Sequence, residues 1–476
     1  MRLPVLKPKT IAAPPPAQRL RLWQARVADP AERSNDRTRR DLAAMLGDGI
    51  SFSVMVGMGE TYLPAFVLAL GMGQVASGLI TTIPLLAGAF LQLVSPLAVR
   101  RLGSHRRWVV ACAICQAACF IPLCAAAWMG SISMGALFAV AAVYWGAGLG
   151  TSPAWNTWVG TIVPMKLRAR YFARRTRFSQ LGVFAGFLVA GVSLQYGARV
   201  GRLLDVFGVV FLMAGLCRLI SAAFISSQSE PVPPGDDHRH VPLGEFIWRV
   251  HVSGEGRVLV YLLTVQTAAQ IASPYFTAYM LGPLGLSYVK YVILMGTAFA
   301  AKVASLPAMG AVAHRWGARR LLAWGGVAIV PLSSFWIFSE SFYYLIGVQI
   351  VAGVAWAAYE LAMFLLFFDT MPAEERTSLL TTFNLAHSAA TAAGSLLGGA
   401  ILLHWGKYSN VFFAIFALSA IGRVFGLLVL SRVPKSAGFG EAVSMRTLAV
   451  RAGAGSLDQP ILPSLGAEHD PLDSAD

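Results

Sequence analysis

Charge is what this chain has least of. Only 13% of its 476 residues are Asp, Glu, Lys or Arg, roughly half the ~25% of an ordinary soluble protein. Hydrophobic residues make up 56%, and the mean hydropathy is +0.61. Cut into the about two or three soluble domains usual for this length, the chain could not keep their surfaces hydrated. That excludes a soluble enzyme and leaves a membrane protein. Cysteine is also sparse: Cys112, Cys115, Cys119 and Cys124 share one apolar stretch, and Cys217 lies in another. The first three recur on one helix face, but no His, Asp or Glu accompanies them. They read as small packing residues, with neither a metal site nor a disulfide framework implied. The chain has no Walker A, GxSxG or HExxH motif, so ATP drive and hydrolase chemistry find no support and no cofactor is expected.

Apolar stretches are what the sequence has in quantity. A membrane span needs about 20 apolar residues, and twelve stretches can be placed, at 42–70, 75–99, 108–129, 134–163, 178–197, 204–226, 258–281, 288–312, 320–338, 342–369, 377–403 and 409–431. Trp108, Tyr196, Tyr288 and Tyr343 stand at stretch ends, where interfacial aromatics collect. Residues 1–40 are basic and Pro-rich without an apolar core, which reads as a disordered tail rather than a signal peptide. Residues 227–257 form the long internal loop, with Leu243, Phe246, Ile247 and Val250 on one face of a short surface helix. Residues 432–476 are polar and read as a second disordered tail.

The formal net charge is +15, and its distribution explains it without nucleic acid. Numbering the connections alternately from the inside gives one set with Arg100, Arg101, Arg106, Arg107, Lys166, Arg168, Arg170, Arg174, Arg175, Arg177, Arg315, Arg319, Arg320, Arg376 and Arg432. The other set holds Arg199, Arg202, Lys290 and Lys407. The positive-inside rule then puts both termini in the cytoplasm and requires an even number of spans. The expected location is the cell inner membrane.

The halves of the chain repeat each other. The segment from Pro96 to Arg107 pairs with that from Gly310 to Arg320. Pro164 and Arg168 pair with Pro372 and Arg376, Gly182 and Gly186 with Gly394 and Gly398, and Arg218 with Arg423. Parallel six-span halves are a recurrent transporter architecture. In these motifs the chain resembles the major facilitator superfamily, whose loop signature after the second and eighth spans is G-x-x-x-D-R-x-G-x-R-R. The second copy keeps Gly310, Arg315, Gly317, Arg319 and Arg320. The first keeps Arg101, Gly103 and Arg106. Both lack the acid, with Arg100 and His314 in its place. Ser152, Trp155, Asn156, Trp158 and the run from Arg170 to Arg175 look like a bacterial branch of the family with no settled substrate.

The resemblance implies an all-α integral membrane fold of twelve transmembrane helices in two six-helix bundles, 41–226 and 258–431, joined by the cytoplasmic loop 227–257. It also implies that Arg101, Gly103, Arg106, Arg168, Gly310, Arg315, Gly317, Arg319, Arg320 and Arg376 form cytoplasmic gate loops. Spans one, four, seven and ten would surround a central cavity.

Ionisable groups at membrane depth are costly and default to functional candidates. The expected cavity set is Glu60, Trp155, Asn156, Gln266, Gln270, Lys302, Tyr359, Glu360, Asn384 and His387. Glu60 stands near the middle of the first span, where Gly57 and Gly59 would leave room for a ligand or water. A carboxyl at such depth can exchange a proton near neutral pH. Each residue also has a structural reading: Lys302 and Glu360 as a bridge to each other, His387 as an interhelical donor, and Gln266 and Gln270 as packing glue. Arg218 and Arg423 read as snorkelling or anchoring side chains, and Asp48 and Asp369 as gate or cap residues. The expectation is a monomeric, proton-coupled carrier of a small organic solute, not an enzyme. The rivals are a non-transporting receptor or assembly factor on the same scaffold and a multispan lipid-linked transferase.

Overall fold

The computed structural model describes residues 30–163, 165–230, 254–370, 376–406 and 409–431. Residues 1–29, residues 432–476 and most of the 227–257 loop, with its expected surface helix, lie outside the described residues; residues 30–40, expected to belong to a disordered tail, are helical instead. Every regular element among the described residues is helical. Among the described residues, ten helices are long and apolar enough to cross a membrane. Outward-facing Ile121, Leu181, Val192 and Ile421 would be costly in water and suit hydrocarbon.

Several helix breaks fall at proline, although Pro122 and Pro307 sit inside unbroken helices. The first apolar stretch is α1 (Pro30–Met58), a 3-10 turn at Glu60–Tyr62, and α2 (Leu63–Ala69). Pro64 has no N–H to give to the carbonyl one turn back, which removes a bond from the α ladder at this break. The second stretch divides into α3 (Gln74–Leu79), α4 (Ile83–Gln92) and α5 (Ser95–Leu102), with Pro84 and Pro96 near the starts of the last two. Long helices follow: α6 (His105–Met129), α7 (Met134–Ile162), α8 (Met165–Arg199) and α9 (Leu203–Ser227). Two of the twelve expected spans, 258–281 and 320–338, are not among the ten. The first divides into α10 (Gly254–Ala272), a 3-10 turn at Ser273–Tyr275 and α11 (Phe276–Leu281), broken at Pro274. After α12 (Tyr288–Trp316), the second divides into α13 (Ala318–Ile329) and α14 (Phe335–Phe338) around Pro331. Then come α15 (Phe342–Thr370), α16 (Arg376–Trp405) and α17 (Ser409–Ser431).

The internal repeat recurs in the packing. In the first half α1 packs on α8 and α9, α4 on α7, and α6 on α7 and α9. In the second half α10 packs on α16 and α17, α12 on α15, and α13 on α15 and α17. The halves meet through α8 with α12 and through α4 with α16, again an equivalent pair. Glycine makes the tightest crossings. A Cβ at Gly57 or Gly186 would collide with the backbone of the facing helix of the α1–α8 pair, and one at Gly394 or Gly398 with α10. Small residues let helix backbones approach this closely.

The apolar core is shared at one end and divided at the other. One cluster draws on both halves and includes Tyr62, Phe66 and Phe187 with Tyr275, Tyr279 and Tyr291. Phe184 and Phe299 stack across the α8–α12 contact with centroids 5.5 Å apart. Toward the ends bearing the 100–107 and 313–320 segments, the core is two clusters, each confined to one half. Met45, Val109 and Trp158 belong to one, and Leu322, Tyr359 and Phe383 to the other.

Candidate functional site

The two 3-10 turns place their residues where helix geometry is interrupted. Glu60 opens the first turn and is half-buried; its Oε2 accepts a hydrogen bond of 2.9 Å from the Tyr144 hydroxyl of α7. The Thr61 hydroxyl donates to Val56 O at 3.0 Å, occupying a carbonyl that the break leaves over. Each turn ends in a tyrosine tied to the neighbouring helix: Tyr62 donates to Phe187 O at 2.7 Å and Tyr275 to Ser395 O at 2.5 Å. This tyrosine repeat was readable, since Tyr62 and Tyr275 each stand two residues after the start of their turn, but it is hidden without the register of the break. The room expected beside Glu60 is filled. Gly57 abuts the α8 backbone and Gly59 faces Phe120 and Ala214.

Lys302 of α12 and Glu360 of α15 do form a pair, Nζ to Oε2 at 2.5 Å, with both side chains largely buried. Of the two glutamines on α10, Gln266 is buried and donates to Thr391 Oγ1 of α16 at 2.8 Å, an interhelical bond rather than a free arm. Gln270 is buried where Gly394 crosses. His387 is buried with its ring 5.9 Å from Phe383, and Asn384 is half-buried on the same helix. Tyr359 is fully buried among Tyr261, Trp356 and the backbone face of Gly325, so it lies in the second-half core. The side chain of Asn156 lies outside the described residues. The ten expected cavity residues are therefore distributed among several environments.

Trp155 leads to a network that sequence reasoning missed. The Arg175 guanidinium lies over the Trp155 ring at 4.6 Å and 3.4 Å from Asp48 Oδ2. Asp48 Oδ1 accepts from Ser221 Oγ at 2.7 Å, and Ser221 Oγ accepts from Arg218 Nη1 at 2.6 Å. Arg218 Nε reaches Gln116 at 2.9 Å. Asp48 is thus a buried counter-ion. Arg218 and Arg423, 2% and 3% exposed, sit inside their helix packing rather than snorkelling, because polar side chains and backbone carbonyls receive their protons there.

The residues expected to form gate loops differ in exposure. Arg101, Arg315 and Arg320 face outward and Arg106 and Arg319 are half-exposed. Gly310 is a buried residue of α12. Gly103 at φ 61° and Gly317 at φ 84° make the turns between helices, a backbone region that favours glycine. The side chains of Arg168, His314 and Arg376 lie outside the described residues. Where the signature acid is missing, a carboxylate arrives from elsewhere. Glu230 accepts from Ser104 Oγ at 2.5 Å, from His105 N at 2.6 Å and from Arg106 N at 3.4 Å. A carboxylate there satisfies open N–H groups at the start of α6 and opposes its positive end. Ser229 is held in turn by Asp41, and its carbonyl accepts from Trp158 Nε1 at 2.9 Å. On the α8 side, Tyr171 donates to Leu42 O at 2.7 Å, and burial pushes its phenol well above the usual range.

A family model described as Major Facilitator Superfamily matches residues 258–457. No curated protein matches the chain in sequence. Among solved structures, a mutant of the nucleoside transporter NupG superposes with a TM-score of 0.66 at 12% identity, over 83% of this chain and 100% of that one. An auto-inhibited POT family peptide transporter gives 0.65 at 12% identity, over 85% and 99%. A bacterial homologue of the human lysosomal transporter Spinster, inward-facing and unoccupied, gives 0.60 at 14% identity, over 85% and 95%. Residues 258–457 thus match the major facilitator superfamily in sequence, and the fold of the whole chain is similar to that of solved membrane transporters.

Proposed function

We propose that this protein is a twelve-span secondary transporter of a small organic solute. It works by alternating access between two six-helix halves, 41–226 and 258–431, with both termini in the cytoplasm of an inner membrane. The observation that carries the reading is the division of the apolar core. At one end the halves share a single cluster, and at the end bearing the arginine-rich loops each half keeps its own. Two bodies that touch at one end can rock about that contact and expose a midplane site to either side. The positive-inside rule makes the divided end cytoplasmic, so this arrangement is an inward-open one.

Glu60 is the coupling group of this reading. It stands at a helix break, half-buried, bonded to Tyr144 from the fourth span. A carboxyl in such a place can take a proton and return it during the cycle. Similar folds include nucleoside, peptide and iron-transporter-like proteins, so the fold supports the mode of movement rather than a particular cargo. The test is a thermal-shift screen of purified protein against metabolites and drugs, since a ligand stabilises the state that binds it. Stabilising compounds are then assayed for counterflow in liposomes under an imposed pH gradient. Flux of a hit supports the transporter; binding without flux in either direction favours the receptor reading instead.

A further inference from the structure

We propose that the second half holds an interior site for a compact anion at Arg423. The site is a cavity of about 60 Å³ lined by the 3-10 turn at Ser273–Tyr275, α11, α12, α14, α15 and α17, with Lys302, Trp336, Gln349, Trp356 and Arg423 in its walls.

The argument is one of unbalanced charge. Arg423 is 3% exposed. Its Nη1 donates to Ile329 O at 2.6 Å and its Nη2 to Ser419 Oγ at 3.1 Å. Its Cζ lies 5.9 Å from the Trp356 ring, and its Nε has no hydrogen-bond partner. None of these partners carries negative charge. The other cation on the cavity, Lys302, is already matched by Glu360 at 2.5 Å. Among the described residues, none that lines the cavity is acidic. A buried cation without a counter-charge is strongly disfavoured, so these walls carry an excess of one positive charge.

The first half shows how the same position is normally balanced. Arg218 occupies the place of Arg423 in the repeat, and one serine hydroxyl links it to the Asp48 carboxylate. Asp48 stands twelve residues before the first 3-10 turn; twelve residues before the second stands Tyr261. The second half has therefore kept the arginine and replaced its carboxylate with a neutral phenol, with a cavity beside the guanidinium. A bound anion restores the missing charge. The free Nε–H offers it a bond, and Trp336 and Trp356 exclude water, which strengthens the attraction. The volume holds about four or five waters, enough for a halide or a single carboxylate group and too little for a nucleoside or a peptide. The anion has two possible sources, an inorganic ion or the carboxylate of a small solute.

The experiment uses the purified full chain in detergent. Its melting temperature is followed while sodium gluconate, too large for the cavity, is exchanged for sodium chloride or sodium formate at constant ionic strength. The expected result is a saturable rise of several degrees. Response to both salts identifies an inorganic-anion site, and response to formate with none to chloride identifies a carboxylate site. Arg423→Gln should lose the response. Ala352→Leu, which fills the cavity and leaves Arg423 in place, should lose it too, and this covers the case in which the arginine variant does not fold. No saturable response in the parent protein overturns the proposal, as does an undiminished response in Ala352→Leu. Either failure leaves the transporter reading standing, because that rests on the contact between the halves.

Discussion

Glu60 and Glu360 are both carboxyls at membrane depth, yet their surroundings set them different tasks. Glu360 has a lysine at 2.5 Å, so its charge is matched and its removal strands Lys302. Either Lys302→Gln or Glu360→Gln alone should cost about 3–5 kcal/mol, because a broken buried pair leaves one uncompensated charge. The double variant should recover most of that loss, as measured by thermal denaturation in detergent. If the single and double variants melt alike, the pair has no structural weight. Glu60 accepts from the Tyr144 hydroxyl, a neutral donor that either protonation state can accommodate. Glu60→Gln should keep expression and ligand binding and lose proton-driven accumulation together with its pH dependence. Parent-like accumulation by the Gln variant from about pH 5.5 to about pH 8 would show that Glu60 is structural. At this scale the sequence was a partial guide. It marks which ionisable groups are costly, because hydropathy is a property of single positions. It does not reveal their partners, and so it missed both the Asp48–Ser221–Arg218 chain and the carboxylate of Glu230 at the start of α6.

At the scale of helices, the repeat was legible because it is written in residues whose chemistry is local. Gly186 and Gly398 recur since each faces a helix backbone that a Cβ would strike. The breaks at 258–281 and 320–338 were less legible. Proline inside an apolar run can kink a helix, end it, or sit within it as Pro307 does in α12, and neighbouring helices decide which. A substitution separates packing from propensity at these crossings. Gly57→Val should destabilise by about 1–3 kcal/mol, since α1 and α8 must separate to admit it. Gly347→Ala, on α15 with nothing within 4 Å of its new Cβ, should change stability by less than about 1 kcal/mol, and in the favourable direction. Equal melting temperatures for the two variants would mean that the α1–α8 crossing is loose.

For the whole molecule, the decisive feature is that one end is held shut by contacts the other end does not share. Gly191 of α8 and Val292 of α12 meet across the halves at the joined end, where a Cβ built on Gly191 would lie 3.3 Å from the Val292 Cβ. That is close to the Cβ separation of a disulfide, about 3.5–4.5 Å. The native cysteines at 112, 115, 119, 124 and 217 are all free and can be replaced beforehand. The same Cβ would stand 2.5 Å from the Tyr62 hydroxyl, so once that side chain shifts, Gly191→Cys with Val292→Cys should cross-link under mild oxidant and hold this end closed. If the halves rock, the cross-linked protein keeps its fold and its ligand-induced stabilisation but loses transport, and reduction restores it. Single cysteines in the 100–107 and 313–320 segments should meanwhile resist impermeant thiol reagents added outside intact cells, as the proposed orientation with the arginine-rich end inside requires. Transport that continues undiminished through the oxidised disulfide would mean that this contact never opens, and alternating access about it would have to be abandoned.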